Sequence, residues 1–293
     1  MKENKILITG ISGFLGWYLA DQLKIRNEVI GIYNTNESGQ SGIREIECDI
    51  VDIKALDVIF RKEKFDQCFH LAAQSKTAYC QTNPKKSYNV NVCGTKNIAS
   101  LCDKYKVRSV FTSTDQVFDG EKGNYKELDK KNPINIYGKH KSEAEEIIIN
   151  SGFSMKIARL PLLVGPQHNK SSSFLQDFLN STKLDKPMGM FADEYRSIAY
   201  AGHIAEGLEW FMSNDLRLLH IAGSRSYSRY EIALRFGEIY NIDKTKILMD
   251  YQSNYNFETP RPKDVSLNID LARKYGYKIS SCFDALELLT KSI

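Results

Sequence analysis

The chain has 293 residues, of which 42% are hydrophobic, enough to bury one large core or two coupled ones. Its formal net charge of +4 is small for this length, and the charges are interspersed, which argues against nucleic acid as a partner. No apolar run approaches the roughly 20 residues of a membrane helix, and the six cysteines have no C-x-x-C spacing. We therefore expect a cytoplasmic protein without a membrane anchor or a metal site.

The first predicted element is an apolar strand that runs directly into three glycines. Residues 6–8 form the strand, Gly10, Gly13 and Gly16 follow, and an amphipathic helix is predicted over 17–25. Gly10 would allow the tight turn, Gly13 a close approach to a pyrophosphate, and Gly16 close packing of the helix on the strand. This arrangement is typical of a dinucleotide site with the phosphates at the helix N-terminus.

The second predicted strand, 28–33, ends in Asn34 and carries no acidic residue there. Such an acid would bind the ribose 2′-hydroxyl of NAD, so its absence favours NADP(H) and leaves NAD(H) open. A third strand over 43–48 is followed by Asp49, which either meets the adenine or, like Asp52, caps the next helix.

A helix over 53–62 leads to a fourth strand, 67–71, which ends in small residues that would let a cofactor lie against the backbone. The loop that follows contains Ser75 and would line the substrate side. Pro84 then opens a long predicted helix that contains Asn91. This Asn either supports the cofactor edge or is a buried structural hydrogen-bonding group.

The fifth strand, 107–114, ends in Thr114 and leads to a hydroxyl, a phenol and a lysine at chemically useful spacings. If residues 135–150 are helical, Tyr137 and Lys141 share one face, because they are four residues apart. A tyrosine has a pKa of about 10, so proton exchange near neutral pH needs a neighbouring positive charge to lower it. Asp115 either orients a substrate or caps the turn after the strand.

A sixth strand over 155–160 completes an alternation of strands and helices that predicts an α/β fold with a doubly wound parallel sheet. Proline and a serine run at 171–173 then mark segments that leave the sheet. A strand over 196–200 is expected to return, followed by a helix over 203–212 and by two helices after residue 227. We predict a dinucleotide-binding domain over 1–160, returning at about 196–222, and a smaller C-terminal α/β substrate lobe over 161–195 and 223–293.

The glycine turn, the Ser113-Thr114-Asp115 strand end and the Tyr137-x-x-x-Lys141 pair resemble the extended short-chain dehydrogenase/reductase family. Within it, Ser-Thr-Asp-x-Val-Phe-Asp-Gly at 113–120 and the segment that begins at Arg261 resemble the dTDP-4-dehydrorhamnose reductase group. The resemblance implies a proton donor at Tyr137, supported by Thr114 and Lys141, and a substrate side formed by Ser75, Asp115, Gln116, Arg196 and Arg261. It implies cofactor contacts at Gly10, Gly13, Phe14, Leu15, Gly16, Asn34, Asp49, Ile50, Leu71, Ala72, Ala73, Tyr137 and Lys141.

Three positions depart from the pattern of that group. Gln116 replaces its usual Tyr, Leu162 its usual Trp, and Gln81 a Glu that is often tied to a bridging metal. These changes leave the redox residues intact but put the identity of the sugar and a magnesium-linked dimer in doubt. A homodimer remains open.

The function that follows from the resemblance is NAD(P)H-dependent reduction of a keto group on a nucleotide-linked deoxysugar. An epimerase of the same family would use the same residues and return the hydride. A third alternative is a non-catalytic NADP-binding regulatory subunit, which fits the altered substrate side but not the complete set of Thr114, Tyr137 and Lys141.

Overall fold

A computed structural model describes residues 3–168, 173–184 and 186–291, so most of the serine run at 171–173 lies outside the described residues. The strands are β1 (Lys5–Thr9), β2 (Glu28–Tyr33), β3 (Arg44–Glu47), β4 (Gln67–His70), β5 (Arg108–Thr114), β6 (Lys156–Leu160), β7 (Leu163–Val164), β8 (Met188–Phe191), β9 (Tyr195–Arg196), β10 (Ala199–Tyr200), β11 (Leu218–His220), β12 (Tyr227–Ser228) and β13 (Ile247–Asp250). The α-helices are α1 (Phe14–Leu23), α2 (Ile53–Glu63), α3 (Thr77–Thr82), α4 (Pro84–Tyr88), α5 (Thr95–Lys104), α6 (Ile136–Asn150), α7 (Phe174–Thr182), α8 (Ala201–Met212), α9 (Arg229–Ile239), α10 (Asp270–Lys274) and α11 (Cys282–Lys291).

The central sheet has seven strands in the order β11-β6-β5-β4-β1-β2-β3, and every neighbouring pair is parallel. Its inner strands are buried apolar runs, as expected when helices cover both faces of a sheet. The strand order reverses between β1 and β4, which places a crevice at the carboxyl ends of these two strands. The predicted doubly wound α/β fold is confirmed.

Two hydrophobic cores flank the sheet, and a third lies among residues 164–286. The third core packs α7, α9 and α11 together with the parallel pair β8–β13. This is the region in which the sequence predicts a C-terminal lobe; the exact domain boundaries stay a prediction.

Several predicted elements differ from the structure. The single return strand over 196–200 is wrong, because β9 pairs with β12 while β10 pairs with β7, in two separate small sheets. The chain rejoins the main sheet through β11, whose three residues are too few to show the hydrophobic pattern of a strand. The long helix after Pro84 contains a π-helical segment, Asn89–Gly94, between α4 and α5. Between residue 227 and residue 291, where the description ends, there are three α-helices and not the two predicted. The additional helix, α10, has only five residues, too few to show a helical pattern in the sequence.

Among the described residues, none of the helices combines the length and the apolar character needed to cross a membrane. All six cysteines are free thiols, and Cys93 alone among them is not buried.

Candidate active site

A cleft of about 710 Å³ opens at the carboxyl ends of the parallel strands. Its walls come from the segments that follow β1, β2, β4 and β5 and from the C-terminal lobe. All residues predicted to contact cofactor or substrate line it: Gly10, Gly13, Phe14, Leu15, Gly16, Asn34, Asp49, Ile50, Leu71, Ala72, Ala73, Ser75, Thr114, Asp115, Gln116, Tyr137, Lys141, Arg196 and Arg261. The fold thus brings the whole predicted set to one place, while the role of each residue stays a prediction.

The glycine turn has the shape that a dinucleotide phosphate requires. Gly10 has a φ of +73°, and a Cβ on it would lie 2.7 Å from both Cα and N of Ala72. Gly13 precedes α1 and has no side chain to cap it, so the first N–H groups of the helix are left for an anion. A Cβ on Gly16 would meet the backbone oxygens of Gly10 and Ile11, which explains the close packing of α1 on the turn. The turn fits a bound pyrophosphate.

The two aspartates after β3 have different positions. The Asp52 carboxylate accepts two backbone N–H groups at the start of α2, at 3.0 Å each, and therefore caps that helix. Asp49 lines the cleft beside Ile50, and its carboxylate accepts the N–H of Val51 at 3.0 Å. The cap is thus assigned to Asp52, which leaves Asp49 at the cleft wall.

Neutral residues occupy the cleft wall after β2. Asn34, Thr35 and Asn36 line it. The nearby Glu37 accepts a hydrogen bond from the Tyr33 hydroxyl at 3.1 Å and is not part of the wall. A 2′-phosphate would therefore meet amide and hydroxyl groups here.

A chain of hydrogen bonds fixes the loop that follows β4. The Thr9 hydroxyl lies 2.7 Å from Nδ1 of His70, whose Nε2 lies 3.0 Å from the Thr95 hydroxyl. That hydroxyl donates to the Asn91 carbonyl at 2.7 Å, so Nε2 of the histidine must be the donor and Nδ1 the acceptor. The Asn91 side chain bonds both the N–H and the carbonyl of Gln74. Asn91 is therefore a buried structural hydrogen-bonding group that supports the cofactor edge.

The predicted catalytic side chains all face the cleft. Helix α6 begins after Asn135, whose side chain accepts the N–H of Gly138 at 2.9 Å and so caps the helix. Tyr137 and Lys141 follow on its buried face, as their spacing predicts. Thr114 ends β5, and its hydroxyl donates to the Asp115 carboxylate at 3.0 Å and accepts the N–H of Gln116 at 3.2 Å.

The Tyr137 pKa lies above its ordinary value, and Lys141 is not among the groups that shift it, so its lowering by Lys141 stays a prediction. Burial raises the pKa of the Tyr137 phenol, the Asp115 charge raises it further, and a hydrogen bond with Thr114 opposes the rise. Burial also lowers the Lys141 pKa to about 7, against the opposing charge of Glu145. The lysine is therefore only partly charged near neutral pH, and its ammonium packs over the Phe111 ring at 4.0 Å from the centroid.

Asp115 is a buried carboxyl group beside Tyr137. Burial raises its pKa to about 6, although the nearby Arg196 charge and the Thr114 hydroxyl act in the opposite direction. Its Oδ2 atom is buried without a hydrogen-bond partner among the described residues. This atom can accept a hydrogen bond from a ligand in the cleft.

Three arginines meet at one buried carboxylate on the substrate side. Glu194 is 1% exposed and contacts Arg196 and Arg229 at 3.1 Å each and Arg261 at 2.7 Å. Burial alone would raise the Glu194 pKa, but the three guanidinium charges outweigh it and hold the pKa below its ordinary value. Because three positive charges share one negative charge, this cluster makes the wall positive. We call these four residues the arginine cluster.

Sequence reasoning missed two members of that cluster, Glu194 and Arg229. Arg229 is the first residue of α9, and its guanidinium lies over the Phe174 ring at 3.9 Å. The sequence did signal the helix start, since Ser228 and Glu231 form a capping box. Nothing in the local pattern indicates that Arg229 and Glu194 meet, because they belong to different elements 35 positions apart.

In the described part of the chain, His, Cys, Asp and Glu form no group of three that could hold a metal ion. Gln81, which replaces the metal-linked Glu of the rhamnose group, instead faces the start of α6, where its Oε1 accepts the N–H of Ile136 at 3.4 Å.

Comparison with known proteins places these observations in a family. The model of the RmlD substrate binding domain family matches residues 4–291. The chain belongs to this family. The resemblance to the dTDP-4-dehydrorhamnose reductase group is therefore confirmed, and at the level of the family so is an oxidoreductase.

Individual relatives show a mixture of functions at low identity. A hypothetical dTDP-4-dehydrorhamnose reductase from Sulfolobus tokodaii is 30% identical, with a TM-score of 0.83 over 96% of this chain and 98% of that one. The same enzyme from Bacillus anthracis, crystallised with NADP, has a TM-score of 0.86 at 21% identity, covering 100% of this chain and 99% of its own. Methionine adenosyltransferase 2 subunit beta from Xenopus laevis is 24% identical over 94% of this chain and 83% of that protein.

Proposed function

We propose that this protein is an NAD(P)H-dependent reductase of a keto group on a nucleotide-linked deoxysugar, of the dTDP-4-dehydrorhamnose reductase type. The observation that carries the proposal is the shape of one cleft. It has a glycine turn suited to a dinucleotide at one end, the arginine cluster at the other, and a buried phenol between them. A nucleotide sugar is a nucleoside diphosphate joined to a sugar, and the arginine cluster supplies positive charge that would bind the diphosphate.

A nicotinamide held by the glycine turn would supply the hydride that the carbonyl carbon requires. Tyr137 gives its proton to the carbonyl oxygen, so that the ketone becomes an alcohol. Burial raises the pKa of this phenol, and a positive charge on Lys141 would lower it toward the range in which the proton is transferred. The Thr114 hydroxyl, which donates to Asp115 in the structure, would turn its proton to the developing oxyanion.

Lys141 holds the ribose of the cofactor and supplies positive charge to the tyrosine. Burial lowers its pKa to about 7, and the negative charge of a bound dinucleotide would raise that pKa and so favour the protonated form. NADPH is the preferred cofactor, since the wall after β2 presents neutral groups where an acid would repel a 2′-phosphate. Asp115 and Gln116 orient the sugar, and Ser75 lines its entrance.

The test is turnover of NADPH with a panel of nucleotide 4-keto-6-deoxysugars, followed at the nicotinamide absorbance. Tyr137→Phe and Lys141→Met should each lower turnover by at least about 10²-fold, as expected when a general acid is lost. Tyr275→Phe is the matched control, because this phenol is 50% exposed and outside the cleft. Wild-type turnover in both cleft variants would refute the assignment, and parallel titrations with NADPH and NADH test the cofactor preference.

The same panel separates the alternatives. An epimerase converts the sugar without net oxidation of NADPH, whereas a reductase consumes one NADPH per product. Tight NADPH binding without turnover of any sugar would favour a regulatory subunit, which the relative named methionine adenosyltransferase 2 subunit beta makes a specific alternative. A stable protein partner recovered from the source cells would support that alternative.

A further inference from the structure

A buried network of charges lies below the cleft, where α6 packs on β5 and β6. Its centre is Glu145, which is fully buried one helical turn after Lys141. The Arg159 guanidinium binds both oxygens of this carboxylate, through Nε at 2.9 Å and Nη2 at 2.8 Å. Ser113 donates to it at 2.5 Å from β5, and the Lys131 ammonium lies 3.3 Å away.

The far side of the network holds a neutral imidazole and a second carboxylate, Glu127, whose Oε1 accepts the N–H of His220 at 3.1 Å. His220 on β11 donates from Nδ1 to the Asn268 carbonyl at 3.1 Å, and burial lowers its pKa to about 3, so it carries no charge. Its Nε2 lies 3.4 Å from Nη1 of Arg159, which also donates to the Glu127 carbonyl at 2.9 Å. Glu145 therefore faces two cations, Arg159 and Lys131, in addition to the lysine on its own helix.

Lys141 has few other charged neighbours. His70 on β4 is kept neutral by burial, with a pKa of about 3. Tyr137 on the same helix holds its proton. The charges of Asp115 and of the Cys80 thiol on α3 raise the pKa of that phenol. Glu145 is the carboxylate whose charge favours the protonated form of Lys141.

We propose that Glu145 is a positioning residue for the reaction: it fixes α6 on the sheet through Arg159 and Ser113, and its charge favours the ammonium form of Lys141. This inference rests on the proposed function, because it assigns the role of Glu145 through the role of Lys141. Removal of the Glu145 charge would take away the negative charge that favours the protonated form of Lys141, while Arg159 and Lys131 would stay positive. The lysine would then lose its proton at a lower pH.

Two substitutions should shift the pH dependence in opposite directions. NADPH binding and turnover should fall as pH rises and Lys141 loses its proton; we call this fall the alkaline limb. Glu145→Gln should move the alkaline limb to lower pH by about one unit, which is the lower end of the pKa shift caused by a close opposite charge. Lys131→Met removes a cation that competes for Glu145, so it moves the same alkaline limb to higher pH. Loss of packing alone cannot produce shifts of opposite sign.

Glu146→Gln is the matched control. It makes the same change one residue along α6 and also contacts Lys131, but its side chain is 57% exposed and screened by solvent. Its alkaline limb should match that of the wild type. Thermal melting of each variant at each pH separates unfolding from titration, and NADPH binding by nucleotide fluorescence gives a readout that does not depend on the sugar.

An unchanged alkaline limb in both Glu145→Gln and Lys131→Met would refute the inference. If Glu145→Gln does not fold, Lys131→Met decides alone, since Lys131 lies in the loop before α6 and is 17% exposed. If Lys141→Met leaves NADPH binding and turnover intact, the proposed role of the lysine fails instead. The two failures are therefore distinguishable.

Discussion

Gly10→Ala is expected to destabilise the fold and to abolish cofactor binding together. Gly10 has a φ of +73°, and its Cβ would lie 2.7 Å from Cα and N of Ala72. The left-handed conformation costs about 1 kcal/mol for alanine. The contact is with backbone that cannot move without shifting β4, and overpacking of this kind costs about 1–3 kcal/mol more. The expected loss is therefore about 2–4 kcal/mol.

Gly39→Ala separates these two contributions. Gly39 has nearly the same φ, +71°, but a Cβ there would have no neighbour within 4 Å. It should lose only the conformational part, about 1 kcal/mol, and bind NADPH as the wild type does. Urea unfolding gives the free energies, and nucleotide fluorescence gives the affinity. Equal destabilisation by Gly10→Ala and Gly39→Ala would show that the approach to Ala72 is not the constraint.

Two further predictions concern the substrate side. Asp115→Asn should stabilise the protein above pH 6 but not below pH 4. The folded-state pKa of about 6 is above the unfolded value of 3.8, so the wild type loses stability as pH rises through this window, by up to about 3 kcal/mol in thermal or urea unfolding. Arg229→Met should raise KM for the nucleotide sugar about tenfold through the lost charge-assisted bond, with kcat little changed. The control Arg225→Met alters an exposed arginine outside the cleft, and an equal KM in both variants would exclude Arg229 from binding.

The elements that the sequence predicted well are those whose pattern is local. β2 has its predicted bounds, and α6 begins where Asn135 caps it, because burial and capping are determined by a few adjacent residues. The glycine turn was recognisable for the same reason, because its glycines lie directly between the strand and the helix that they connect. By contrast, β11 has three residues and is defined by its partner β6, which its own sequence does not reveal.

The electrostatics of the site could not be predicted in the same way. Spacing places Tyr137 and Lys141 on one face of α6, but it does not report how deeply that face is buried. Burial reverses the expected direction of the tyrosine pKa and removes part of the lysine charge. The pKa of a group depends on its solvent exposure as much as on its neighbours in sequence, so a motif can identify a residue without giving its charge state.

The arginine cluster shows the same limit for binding. Arg196 and Arg261 were found through a resemblance, one residue at a time, whereas their common partner Glu194 is evident only in three dimensions. The buried carboxylate is stabilised because it contacts all three guanidinium groups, and the positive charge that it does not balance lies at the cleft wall. An anion that enters the cleft would meet groups already held in position by Glu194. Preorganisation of this kind lowers the entropic cost of binding, so the proposed binding of a diphosphate would not require the wall to close around it.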